Sequence, residues 1–148
     1  MSAQQRYGEI LVATDGSDAA DVAVDHAITA AKAHDATMHA LYIVDTRITM
    51  AADDETRGVL SDQLTEQGQA AVEEIVEDAI AADVEASGTI GRGTPWKEIL
   101  SYATTSDIDL IVIGTTGKSP REKRMGMGSV SERVVDGSSI PVLVVPNF

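Results

Sequence analysis

The sequence predicts an α/β fold: a doubly wound, five-stranded parallel sheet, expected in the strand order 3-2-1-4-5, with helices on both faces. Two observations carry this expectation. Five short apolar segments alternate with four stretches of helical character along the 148 residues. Four of those segments (ILVA, ALYIV, LIVI, VLVV) are continuous apolar runs rather than alternating ones. Continuous runs suit strands buried on both faces of a parallel sheet, and right-handed crossovers then place helices on each side. With no internal repeat and no linker, residues 1–148 read as a single domain.

Strand one spans Glu9 to Thr14 and runs into Asp15-Gly16-Ser17, a tight turn. Ser17 or Asp18 can cap the helix that follows, with Asp18 and Asp21 well placed for its dipole. The recurrence of Ala20, Val24, Ala27, Ile28 and Ala31 marks its buried face, and the helix should end near His34-Asp35. Strand two covers Thr37 to Val44, after which Asp45 opens a polar stretch. A long amphipathic helix is expected from about Thr56 to Ala82, with Leu60, Leu64, Ala71, Ile75 and Ala79 on one face. Gly68 in its interior weakens it by up to ~1 kcal/mol relative to alanine.

Strand three, Val84 to Ile90, is the weakest, and Gly91-Arg92-Gly93 reads as a turn. Thr94-Pro95 is a helix start, a capping residue before proline at the first helical position. That helix turns Ile99 and Leu100 inward. Strand four is Ile108 to Ile113. Ser129-Val130-Ser131-Glu132 matches the capping box S-x-x-E, the last helix stops at Gly137, and Ile140 to Val145 is strand five. In such sheets ligands sit beyond the carboxyl ends of the strands, where the order reverses. Here that rim is formed by Asp15, Asp45, Gly91 and Gly114.

Composition narrows the partners. A hydrophobic content of 43% argues for a packed core despite a formal charge of −13. Without cysteine there is no disulfide framework and no thiolate metal site. No apolar run approaches the ~18 residues of a membrane span, and MSAQQRYGEI does not read as a signal peptide, so a cytoplasmic protein is expected. The 24 acidic against 11 basic residues disfavour nucleic acid and anionic membranes as partners. Acidity with only four lysines resembles proteins of salt-loving organisms, in which high ionic strength screens self-repulsion.

Positive charge is concentrated. Five of the eleven Lys and Arg (Lys118, Arg121, Lys123, Arg124 and Arg133) lie between 118 and 133, opposed only by Glu122 and Glu132. This basic segment sits inside DLIVIGTTGKSPREKRMGMGSVSER, Asp109 to Arg133, which reads as strand, glycine loop and helix N-terminus. That order suits a phosphate group. It is not a P-loop: Gly117-Lys118-Ser119 would require glycine where Val112 stands. It is not the dinucleotide fingerprint either, since Gly126-x-Gly128 is followed by Ser131 and Gly91-x-Gly93 by Trp96.

The pattern that fits is G-x-x-G, a spacer, then G-[ST] at a helix start: Gly114-Thr115-Thr116-Gly117, then Gly128-Ser129. With it, the chain resembles the universal stress protein family, nucleotide-binding subgroup. The resemblance extends over ILVATDGS, LYIVD, the Gly93-Thr94-Pro95 turn, VIGTTGK…GSVSERVV and PVLVVP. It implies ATP as ligand, with or without Mg²⁺. Asp15 would lie near adenine and ribose, and backbone groups at Ile43 would contact the adenine. Gly114 and Gly117 would approach ribose and phosphates, and Gly128, Ser129 and Val130 would hydrogen-bond phosphate oxygens. The spacer Lys118–Met127 has ten residues, where the family usually has nine.

Bland roles are open at each position. Ser129 can serve only as the capping partner of Glu132, Asp15 can close a turn before Ser17, and Gly114 and Gly117 can be turn glycines. His26, His34 and His39 show no ligand grouping. The function expected is adenine-nucleotide binding in stress response or signalling without efficient catalysis, since binding ground-state ATP supplies no rate. The alternatives are a dimeric interaction module without nucleotide, a weak ATP hydrolase, or a nucleotidyl-transferring enzyme. A homodimer is expected through Ile140 to Val145, an exposed apolar edge unless paired. In the family that strand pairs with its own copy, which suits two-fold symmetry.

Overall fold

The computed structural model describes residues 6–115 and 129–146. The elements are β1 (Glu9–Thr14), α1 (Asp18–His34), β2 (Thr37–Asp45), α2 (Thr46–Ala51), α3 (Asp54–Ala81), β3 (Ala86–Gly93), α4 (Pro95–Thr105), β4 (Leu110–Gly114), α5 (Ser129–Gly137) and β5 (Val142–Val145). The strands form one parallel sheet in the order β3-β2-β1-β4-β5. This is the expected doubly wound arrangement.

Strand alternation divides the core into two layers. Ile10 and Val12 of β1, Met38 to Val44 at alternate positions of β2, and Val112 of β4 pack against Val24 and Ala27 of α1 and Ile75 and Ala79 of α3. Leu11, Ala13, Leu41, Ile111 and Ile113 point the other way, against Ile99 and Ala103 of α4 and Val134 of α5. A parallel strand has no polar face to spare, which is why the runs in the sequence are unbroken.

The caps account for the helix limits. Ser17 has extended backbone and its Oγ accepts from Ala20 N at 3.4 Å, the arrangement expected of an N-cap. Asp35 closes α1 in the left-handed region at φ 55°. Asp53 caps α3, its Oδ1 accepting from Thr56 N at 2.9 Å.

Three expectations are corrected. The polar stretch after Asp45 contains a six-residue helix, α2, started by Asp45, whose side chain accepts from Arg47 N. Gly91-Arg92-Gly93 is strand rather than turn, because β3 stays in register with β2 as far as Asp45↔Gly93. Residue type suggested a turn there, but the ladder to the longer β2 holds the segment extended. Gly68 does not interrupt α3, which runs 28 residues unbroken. A Cβ at Gly68 would come within 2.8 Å of Cγ of Tyr42, so the glycine lets helix and strand approach closely.

Candidate functional site

The sheet reverses its winding between β1 and β4. From β1 the chain leaves through α1 on one face toward β2. It returns to β4 through α4 on the opposite face. The carboxyl ends of the two strands therefore splay, and no crossover covers the gap. A cleft of about 370 Å³ opens there.

Its walls come from elements far apart in sequence. Ala13, Thr14 and Asp15 continue β1, Leu41, Tyr42, Ile43 and Asp45 come from β2, and Ile113 and Gly114 end β4. Ile99 of α4 and Val130 of α5 close one side, while Ile48 of α2 with Leu64 and Gln67 of α3 close the other. Of the residues singled out from the sequence, the fold brings Asp15, Ile43, Gly114 and Val130 to this one cleft. Ser129 heads α5 but borders a separate, shallower depression with Trp96 and Arg133. Gly117 and Gly128, with the basic residues Lys118, Arg121, Lys123 and Arg124, lie outside the described residues.

Local chemistry orients what is there. Asp15 is exposed, and its Oδ1 accepts from Ser17 N at 2.9 Å while Thr14 Oγ1 accepts from Gly16 N at 3.0 Å. Asp15 thus closes the turn and still lines the cleft, a carboxylate with acceptor capacity beyond the one bond. Gly16 holds φ +82°, a left-handed value that favours glycine. Gly114 is required by packing as well as by any ligand: a Cβ there would lie 2.7 Å from the carbonyl oxygen of Ala19, at the start of α1. Burial first, and the charge of Asp15 second, push the Tyr42 phenol above its ordinary range, so it lines the cleft as a neutral donor.

Asp45 is engaged otherwise. Its Oδ1 accepts from Arg47 N and Nε, both at 3.0 Å, and its Oδ2 from Arg47 Nη2 at 2.8 Å. The guanidinium hydrogen bonds hold its carboxyl below the usual carboxylate range. Asp15 is therefore the cleft carboxylate without a cationic side chain bonded to it among the described residues.

The histidines are occupied elsewhere. His39, part-buried toward the sheet's opposite end, lies between Tyr102 Oη at 2.8 Å and Glu9 Oε1 at 3.3 Å. His34 Nδ1 accepts from Tyr7 N at 3.4 Å and its ring packs on Tyr7, while His26 is exposed. Among the described residues no group of three or more His, Asp or Glu is arranged to hold a metal ion. Trp96 has two cations over its ring, Lys97 Nζ at 5.5 Å and the Arg133 guanidinium at 5.3 Å from its centre.

Chemically the cleft is an apolar slot with polar groups at its edges. Leu41, Ile43, Ile99 and Ile113 suit a flat ring, Asp15 suits a hydroxyl donor, and Gln67 offers both an amide donor and an acceptor. Ile48, Gln67 and Tyr42 were not recognisable as site residues in the sequence. Gln67 interrupts the apolar stripe of the helix between Leu64 and Ala71 with a polar side chain, and Ile48 lies in a stretch without strand or helix periodicity. The strand-two end pointed to the right place, but only the folded chain puts α2 and α3 beside it.

Residues 6–146 match the model of the universal stress protein family. Universal stress protein MJ0531 of Methanocaldococcus jannaschii is 39% identical over 140 residues, spanning 94% of this chain and 82% of that one. The solved structure of MJ0577 superposes with a TM-score of 0.88 at 29% identity, covering 97% of this chain and 99% of that one. Universal stress protein UspA from Lactobacillus plantarum superposes with a TM-score of 0.81 at 32% identity, covering 96% and 99%. More distant structures of the same fold include a universal stress protein in complex with cAMP (24% identity, TM-score 0.71, covering 96% and 98%). Another, from Archaeoglobus fulgidus, is in complex with dAMP (21% identity, TM-score 0.69, covering 95% and 98%).

Proposed function

The chain belongs to the universal stress protein family, and from that premise and the shape of the cleft we propose that it binds an adenine nucleotide, ATP in the first instance. The observation that carries this reading is the convergence of Asp15, Ile43, Gly114 and Val130 on one cleft at the switch point. In this reading the adenine lies in the apolar slot between Ile43 and Ile99, and Asp15 accepts from the ribose hydroxyls. The phosphates run past Gly114 toward the N-terminal turn of α5, where Ser129 and Val130 offer free N–H groups. Gly117 and Gly128 complete the phosphate end on the strength of the family pattern. Proteins of this fold have been solved with cAMP and dAMP, so the fold accommodates adenine nucleotides.

A magnesium ion would travel with the nucleotide. Its ligands would be phosphate oxygens and water, since Asp15 faces the ribose in this reading and Asp45 is held by Arg47. The protein acts as a stress-response or signalling module rather than an efficient enzyme, a homodimer through Ile140 to Val145 working in a salt-rich cytoplasm. Slow ATP hydrolysis is compatible with that role. The ten-residue spacer Lys118–Met127 favours a second reading, an interaction module without nucleotide.

Isothermal titration with ATP in concentrated KCl separates the two. Saturable heat at one site per chain, reduced by Asp15→Ala, is the expected result. Absence of heat, together with absence of nucleotide in the purified protein, would leave the interaction module standing.

A further inference from the structure

The helix α2 is too short to exist on its own account. Isolated helices below ~12–15 residues are marginal in water, and α2 has six. It persists because three contacts hold it. At its start, Asp45 caps the Arg47 amide and pairs with the Arg47 guanidinium at 2.8 Å. In its middle, Thr49 is buried to 4% exposure and its hydroxyl donates to Thr46 O at 3.2 Å. At its end, Arg57 reaches over from the first turn of α3.

The Arg57 contacts are specific. Nε donates to Thr49 O at 3.3 Å, and Nη2 donates to Met50 O at 3.5 Å and to Ala52 O at 3.2 Å. These carbonyls sit at and just beyond the helix C-terminus, where Thr49 O also accepts from Ala52 N at 3.2 Å and Arg57 adds donors past that closing turn. Asp54 braces the guanidinium from its other side, with Nη1 at 3.4 Å. The anchored helix turns Thr49 inward and sets Ile48 on the cleft wall, 51% exposed. An isoleucine half in water at the mouth of an apolar slot gains cover when a ligand enters.

We propose that Arg57 is a positioning residue for ligand binding: by holding the carbonyl end of α2 it fixes Ile48 as the outer wall of the base end of the cleft. The inference rests on the nucleotide-binding reading. Without Arg57 the end of α2 frays, and a bound ring must either forgo the Ile48 contact or order the segment again. Ordering a side chain on binding costs ~0.5–1.5 kcal/mol, at its upper end about tenfold in affinity.

Because Arg57 acts through Ile48, its effect depends on that side chain. The test is ATP binding in concentrated KCl by wild type, Arg57→Ala, Ile48→Ala and the double variant, with amide hydrogen exchange on the unliganded proteins. Arg57→Ala should loosen ATP by about tenfold in the wild-type background and by no more than about twofold once Ile48 is alanine. Exchange of the amides of residues 49–52 should quicken in Arg57→Ala while the urea midpoint of the whole protein stays put. Equal losses in both backgrounds, or unchanged exchange at 49–52, would overturn the role of Arg57. Wild-type protein that binds no ATP would overturn the nucleotide reading itself and this inference with it. Both substitutions fall on the surface, and Ile48→Val supplies a milder wall variant that should retain most of the affinity.

Discussion

A β-carbon at position 68 would come within 2.8 Å of three atoms of the Tyr42 ring, and that residue is only 7% exposed. Two effects compete at this residue. Replacing an interior helical glycine with alanine gains up to ~1 kcal/mol in propensity. Forcing a methyl group into a packed contact costs ~1–3 kcal/mol. The ring is packed in the core against α1 and α3, so packing wins. Gly68→Ala is expected to lower the unfolding free energy by about 1–2 kcal/mol, read from urea denaturation at fixed KCl. A stabilised variant would show that Tyr42 yields freely and that propensity governs the site. Since Tyr42 also lines the cleft, the same substitution should weaken ATP binding. From sequence alone Gly68 read as a weak point of the helix; the Tyr42 contact, set by tertiary packing, shows it to be a point of close approach.

At the scale of elements, α2 is the part most dependent on its anchors. The Arg47 hydrogen bonds hold the Asp45 carboxyl below the ordinary carboxylate value. A depressed folded pKa means that the folded state releases this proton more readily than the unfolded chain. The stabilisation is therefore fully present above the ordinary Asp value of ~3.9 and is lost as pH falls through the lower, folded one. Arg47→Ala should raise the Asp45 pKa toward that ordinary value, followed by carbon NMR of its carboxyl. The α2 amides should then lose protection at a higher pH than in wild type. An unchanged Asp45 titration would mean that the guanidinium pairing seen here does not persist in solution. The helix α2 was invisible in TRITMA because its six residues are too few to show a period, and what holds it lies in Asp45, Thr49 and Arg57. By contrast α1 was legible almost to the residue, because Ser17 caps it and its alanine face repeats over 17 residues.

For the molecule as a whole, charge and the open sheet edge act against each other. With β5 at one end of the sheet and Leu143 39% exposed, an apolar strand faces outward. Two copies paired there would bring together chains each of formal charge −13. Shielding shortens from roughly 10 Å at 0.1 M salt to about 3 Å at 1 M, so association should strengthen as KCl rises. Sedimentation equilibrium at micromolar protein should show a dimer in concentrated KCl that loosens at low salt, and Leu143→Asp should leave a monomer under both conditions. Monomer alone in high salt would refute pairing through β5.

What the sequence determined by itself is the wound sheet. Unbroken apolar runs, helix caps and glycine turns are local signals, and each reflects an interaction within a few residues or burial on both faces. They place five parallel strands, and the alternation with helices leaves few other topologies. They also mark Asp15, Asp45 and Gly114 as rim residues, because the rim is simply where the strands end, while Ile43 was implied only by the family resemblance. The tertiary structure alone decided which other groups share the rim with them. Gln67 and Ile48 reach the cleft because α3 packs across Tyr42 at Gly68 and because Arg57 ties α2 down. It also extended β3 through Gly93, where pairing with β2 outweighs the turn preference of Gly-Arg-Gly. Such contacts join residues tens of positions apart, and no local pattern in a single chain records them.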